Sequence, residues 1–198
     1  VEVLGALVGS CLTAIQNDRA RPLQTLELVG ITPSPIGKRF TLTEKQTLLT
    51  SGIATSYVAG GYVRIERCIT TYQTNSLGDA DTSYLDSNTL HSLAYIIRRL
   101  KSVVTSKYPR CKLADDGTHY GPGQAIVTPS VIKSEIIAMY SRLETEGIVE
   151  NAEAFAENLI VERNASDPNR VDVLLPPDLV NQLRIFATLV QFRLQYNE

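Results

Sequence analysis

The chain has 198 residues, with nineteen Lys+Arg against twenty-one Asp+Glu, a net charge of −2, 43% hydrophobic and 20% charged residues. These values exclude wholesale disorder and a collagen-like repeat. The near-neutral balance gives no global field for nucleic acid or an acidic membrane.

Residue 1 is Val rather than Met, which reads as the start of a fragment or a processed chain. Leu4, Leu7/Val8, Cys11/Leu12 and Ile15 recur at helical spacing and predict an amphipathic helix. The stretch carries Glu2, has no basic n-region and is too short to span a bilayer, so neither a signal peptide nor membrane insertion is expected. Gly5-x-x-x-Gly9 reads as a close-packing site. Residues 17–40 hold Pro22, Gly30, Pro33, Pro35 and Gly37, an extended linker with one short strand over 26–29. Residues 1–40 are therefore expected to be an N-terminal helix and linker, the remnant of a longer chain.

Residues 41–198 read as the second unit, an α+β domain with a terminal arm over 181–198. Thr43-x-x-Gln46 has capping-box form, and Gly52 sits where a helix-ending glycine belongs. Residues 53–58 and 62–71 are β-branched and aromatic, and Ala59-Gly60-Gly61 between them predicts a hairpin. Alternation over 63–69 buries Val63, Ile65, Arg67 and Ile69 on one face. After a polar, turn-rich stretch, a helix is expected over 87–106. Its buried stripe is Leu90, Leu93, Ile97, Leu100 and Val104, and Pro109 stops it. Residues 112–124 read as a loop. Thr128-Pro129 opens the next helix, over 130–146, with Ile132, Ile136, Met139/Tyr140 and Leu143 inward and Gly147 at its end. A short helix over 151–157 leads into an apolar run over 159–163. Residues 170–175 alternate as a strand, with Val171, Val173 and Leu175 on one face, until Pro176-Pro177.

Residues 181–195 hold many β formers and no helix signal. Fifteen residues as one strand would reach roughly 50 Å, while typical strands have about 5–6 residues. Either the strand is a long edge strand of its own molecule, or it leaves the domain and pairs with another chain's sheet edge. Leu183, Ile185, Ala187 and Leu189 fall on one face, and Phe186, Val190, Phe192 and Leu194 on the other. A two-sided apolar strand suits the centre of a sheet.

Catalytic templates fail. There is no phosphate-binding G-x-x-x-x-G-K-S/T, no H-E-x-x-H and no G-x-S-x-G. Asp79-Ala80-Asp81 starts like a calcium loop, but Tyr84 stands where the turn needs Gly and Leu90 where the bidentate ligand would be. Cys11, Cys68 and Cys111 are an odd number with no C-x-x-C, so reduced thiols are expected rather than a disulfide framework or a zinc ribbon. Two readings of other classes attach to particular residues. His119 with Asp115 and Asp116 is the acid-base or metal loop that a small hydrolase or metal-dependent enzyme would use. Arg98, Arg99, Lys101, Lys107, Arg110 and Lys112 form a basic stripe that a nucleic-acid-binding module, or an acidic protein neighbour, would meet.

Longer strings carry a resemblance. GKRFTLTEKQTLLTSGIATSYV (37–58), VRIERCITTYQTNSLGDADTSYLD (63–86), KYPRCKLADDGTHYGPGQAIVTP (107–129) and LIVERNASDPNRVDVLLPPDLVNQLRIFATLVQFRL (159–194) resemble the C-terminal part of the tail sheath proteins of Mu-like contractile-tailed bacteriophages. The resemblance runs from about residue 18 to 195. It implies a structural virion protein, not an enzyme, with no cofactor and no metal. It implies an α+β fold in which a mixed β-sheet is flanked by the two long helices. It implies a homo-oligomer whose terminal arms add strands to neighbouring subunits around a tail tube, triggered by a baseplate, with no nucleic acid bound. The virion tail is the implied location, after assembly in the host cytoplasm. On that reading the subunit-interface candidates are Phe186, Val190, Phe192, Leu194, Arg98 and Arg99.

Overall fold

A computed structural model describes residues 2–193. Helix α1, Glu2–Asn17, lays Leu7, Cys11, Ala14 and Ile15 on a small core of Leu23, Leu28, Val63 and Ile65. Only one side of α1 has a neighbour, so the expected stripe splits: Leu4, Val8 and Leu12 face solvent. Gly5 and Gly9 have no atom within 4 Å of where a Cβ would stand, so the close packing expected of them is not made. The linker, where a strand over 26–29 is expected, makes a single bridge, Glu27 with Arg64, at the edge of the hairpin. Thr25 N donates to Ile65 O at 2.8 Å, Leu28 N to Val63 O at 2.9 Å, and Ile65 N to Leu26 O at 2.9 Å. Strand β2, Tyr62–Arg67, thus has this segment on one edge and β1, Thr55–Ala59, on the other, joined through Gly60-Gly61.

Helix α2, Leu42–Thr50, begins earlier than Thr43. Its capping box is Thr41 with Glu44, not Thr43 with Gln46. Glu44 Oε2 accepts from Thr41 N at 2.7 Å, and Glu44 N donates to Thr41 Oγ1 at 3.3 Å. A carboxylate is the stronger acceptor and also complements the helix dipole, which favours this register. The exit is at Gly52, where Gly52 N reaches Leu49 O at 3.1 Å and Ile53 N reaches Leu48 O at 2.9 Å. That double bond needs a left-handed residue, and Gly52 supplies it with φ +73°.

The main core lies around helix α4, Pro129–Thr145, whose Ile132, Ile136, Met139, Tyr140 and Leu143 are buried as the periodicity predicts. Thr128 is its N-cap by position, but the capping acceptor comes from the preceding loop: Asp116 Oδ1 takes Ser130 N at 3.1 Å. Helix α5, Ala152–Asn158, stacks Phe155 on Tyr140 with ring centroids 3.6 Å apart. Strands β5, Ile160–Arg163, and β6, Val171–Leu174, form an antiparallel hairpin, with Ile160 opposite Leu174. Val171 and Leu175 pack on the core, whereas Val173, expected on the same face, is exposed. The stretch read as a loop, 112–124, opens with β3 (Lys112–Leu113), which pairs in parallel with β4 (Ile126–Val127) just beyond it. The fold is α+β, with parallel and antiparallel pairing both present, and among the described residues the named strands pair as three two-stranded ladders.

Helix α3, Ser87–Lys107, has the expected bounds to within a residue but not the expected face. Its buried residues are Asn88, Ser92 and Ile96. Leu90 and Ile97 are 38% and 59% exposed. Asn88 Nδ2 donates to Arg21 O at 2.7 Å and Ser92 Oγ to Arg19 O at 3.4 Å. The linker crossing α3 brings backbone carbonyls that need donors, so the polar side chains turn inward and Leu90 and Ile97 are left outside, while Leu93, Leu100 and Val104 of the expected stripe stay half-buried.

Candidate subunit-contact surface

The last described stretch is rooted in the main core and then leaves it. Val149 and Leu179 form an antiparallel bridge, with Glu150 N donating to Asp178 O at 3.0 Å and Val180 N to Ile148 O at 3.2 Å. Tyr140, buried on α4, reaches the same point. Its hydroxyl donates to Glu150 O at 2.8 Å and accepts from Asp178 N at 3.0 Å. Burial pushes the Tyr140 phenol above its ordinary pKa, so it stays a neutral donor and acceptor. Asn151 Nδ2 donates to Asp178 Oδ2 at 2.6 Å. Pro176-Pro177 ends β6 immediately before this clamp, since proline has no amide to continue the ladder.

Farther on, Arg184 pairs with Asp86 at 2.7 Å, and Arg67 shares that carboxylate at 3.8 Å. Asp86 is the N-cap residue of α3 but makes no side-chain cap bond; its carboxylate faces the two arginines instead.

Beyond the root, residues 181–193 form neither helix nor strand. Leu183, Ile185, Phe186, Leu189, Val190 and Phe192 are between 76% and 94% exposed. Among the described residues the long edge strand within one molecule is not formed: no backbone ladder pairs with 181–193. Of the interface candidates, Phe186, Val190 and Phe192 lie together on this arm. Leu194 lies outside the described residues. Arg98 is exposed, with Nε donating to Ala94 O at 3.1 Å. Arg99 is half-buried and pairs with Glu146 at 3.4 Å, beside Tyr95, whose hydroxyl donates to the same carboxylate at 3.1 Å. The two arginines thus sit apart from the arm, and Arg99 already ties α3 to the end of α4.

The other motifs find intramolecular work. Asp115 pairs with Arg163 at 2.9 Å, and Asp116 caps α4; bonds from Ser130 and Thr128 hold its carboxyl below the usual range. Among the described residues neither carboxylate bonds to His119. In the basic stripe Lys107 pairs with Glu135 at 2.5 Å and Lys112 Nζ donates to Gln124 at 3.1 Å. Among the described residues no group of His, Cys, Asp and Glu is arranged to hold a metal ion, and no helix is long and apolar enough to cross a membrane. The Tyr140–Asp178 clamp and the Arg184–Asp86 pair are the elements that sequence reasoning missed. Each joins residues far apart in the chain, and nothing local marks them.

Comparison with known proteins is consistent with this geometry. The family described as the phage tail sheath C-terminal domain matches residues 79–193. The tail sheath protein of the Mu-like prophage FluMu of Haemophilus influenzae is 47% identical over 176 residues, 88% of this chain and 36% of that protein. A crystal structure of a sheath tail protein from Desulfitobacterium hafniense is similar in fold, with a TM-score of 0.53 and 12% identity over 82% of this chain and 37% of that one. The chain thus spans little more than a third of the length of either protein.

Proposed function

The chain belongs to the phage tail sheath family, and from that premise we propose that it is the C-terminal part of a contractile sheath subunit. In this reading it polymerises around a tail tube by adding residues 181–193 as a strand to a neighbouring subunit. Copies assemble in the host cytoplasm and function in the virion tail, where a baseplate signal triggers contraction. The protein acts as a structural element and its work is mechanical rather than catalytic.

The observation that carries the reading is the exposure of Leu183, Ile185, Phe186, Leu189, Val190 and Phe192 on an arm clamped at its root. Burying such side chains stabilises by about 1.5–3 kcal/mol each, about 9–18 kcal/mol for six. Six strand hydrogen bonds would add about 3–9 kcal/mol. Ordering the thirteen residues of 181–193 costs about 1–2 kcal/mol per residue, about 13–26 kcal/mol. The terms nearly cancel, so one link is weak and a sheath would hold by many links acting together. Globular bodies could then turn about their arms without breaking the mesh.

Light scattering on this chain and on a version ending at Val190 tests the reading. The intact chain is expected to associate and the truncated one to remain monomeric. Equal association of both would remove the arm from the linkage.

A further inference from the structure

We infer that Cys11 and Cys68 are a modification site for low-molecular-weight disulfides, which join the two thiols into a bond tethering α1 to the end of β2. The two thiols belong to α1 and to the residue after β2, not to the arm. Both side chains pack on the same small core of Leu23, Leu28, Val63 and Ile65, although 57 residues separate them in sequence. The two thiols are close enough that Cys68 acts on the ionisation of Cys11. Both cysteines are free. Cys111, the third, packs instead against the core around α4.

Access differs between the two. Cys68 lines an open groove of about 610 Å³ between α2 and residues 182–185, together with Leu42, Leu49 and Ile185. Cys11, on α1, does not line this groove. Burial, and Cys68 beside it, push the Cys11 thiol up to about 11, so at neutral pH it remains protonated and is a poor first nucleophile.

The chemistry follows in two exchanges. Cys68 gives its proton to solvent, and its thiolate attacks one sulfur of the small disulfide. A mixed disulfide forms and one small thiol leaves, taking up a proton. Cys11 then loses its proton and attacks Cys68 Sγ. The mixed bond breaks, the second small thiol leaves, and the internal bond remains. Two electrons pass from the cysteine pair to the oxidant. The consequence is mechanical, because α1 has no fully buried residue and is held by half-buried side chains.

The test is oxidised glutathione added to the folded chain at about pH 8. The intact mass is expected to fall by about 2 Da relative to the reduced chain. Peptide mapping is expected to find Cys11 linked to Cys68, and the unfolding midpoint to rise by roughly 5 °C or more, reversibly with dithiothreitol. Cys11→Ser is expected to stop at a stable mixed disulfide on Cys68. A wild-type chain that keeps glutathione on Cys68 overturns the inference. So does a link to Cys111, a bond that forms only in denaturant, or no reaction of any thiol in the folded chain.

Discussion

Tyr140→Phe isolates the clamp at the root of the arm. The substitution keeps the ring, and with it the stack on Phe155 at 3.6 Å, and removes only the hydroxyl. Two bonds go: the donation to Glu150 O at 2.8 Å, shared with Asp178 O at 3.3 Å, and the 3.0 Å acceptance from Asp178 N. At about 0.5–1.5 kcal/mol each the loss is about 1–3 kcal/mol. The lower half of that range is the better expectation, because Asp178 is exposed and water can take over part of its bonding. For a chain of this size 1 kcal/mol moves the midpoint by about 2–4 °C, so Tyr140→Phe should unfold about 2–8 °C lower. Thermal unfolding followed by circular dichroism gives the shift, and hydrogen exchange at the Asp178 amide reports the clamp directly. The amide should exchange faster in the variant. A midpoint unchanged within about 1 °C, with unchanged exchange at Asp178, would refute the clamp.

Four further outcomes are expected. Gly147→Ala, with φ +72° and open space for a Cβ, should lose about 1 kcal/mol in urea unfolding. Gly52→Ala should lose more, about 2 kcal/mol or above, since its Cβ would stand 3.0 Å from the Thr71 Cα. Cys11 makes stability fall on the alkaline side. Its folded pKa is raised from 9.0 to about 11, so its contribution is present below pH 9.0 and lost as pH rises through about 11; Cys11→Ser should flatten that limb of a stability–pH curve. Phe186→Asp with Phe192→Asp should leave the midpoint of the isolated chain within about 1 °C, both residues being exposed, while abolishing association measured by light scattering.

What was legible in the sequence was local. The buried stripe of α4, the Gly60-Gly61 hairpin and the breaks at Gly52, Gly147 and Pro176-Pro177 each follow from residues within one turn or one ladder. The α2 cap was misread by two positions because Thr41 and Thr43 both suit an N-cap. The acid at Glu44 decides between them, through a reciprocal bond that only Thr41 is placed to make. The arm candidates Phe186, Val190 and Phe192 were legible because six large apolar residues crowd into a polar-poor terminus. Their exposure was not legible, because it depends on where Asp178 and Arg184 anchor the root, and those partners lie 38 and 98 residues away.

Helix α3 shows why periodicity alone does not set a face. Turning Leu90 and Ile97 inward would gain up to about 1.5–3 kcal/mol each. The same rotation would strip Arg21 O and Arg19 O of the donors Asn88 and Ser92, and each buried polar group left unpaired costs about 1–3 kcal/mol. The two sides are of equal size, so the 3,4,3,4 spacing of apolar residues carries no more weight than one side-chain amide and one hydroxyl. The linker decides, because it lies across α3 and its carbonyls have no other donor there. Leu90 and Ile97 are left outside by this balance. Both α3 and the arm therefore present apolar side chains where the chain's own polar bonds, not its hydrophobic pattern, fixed the geometry.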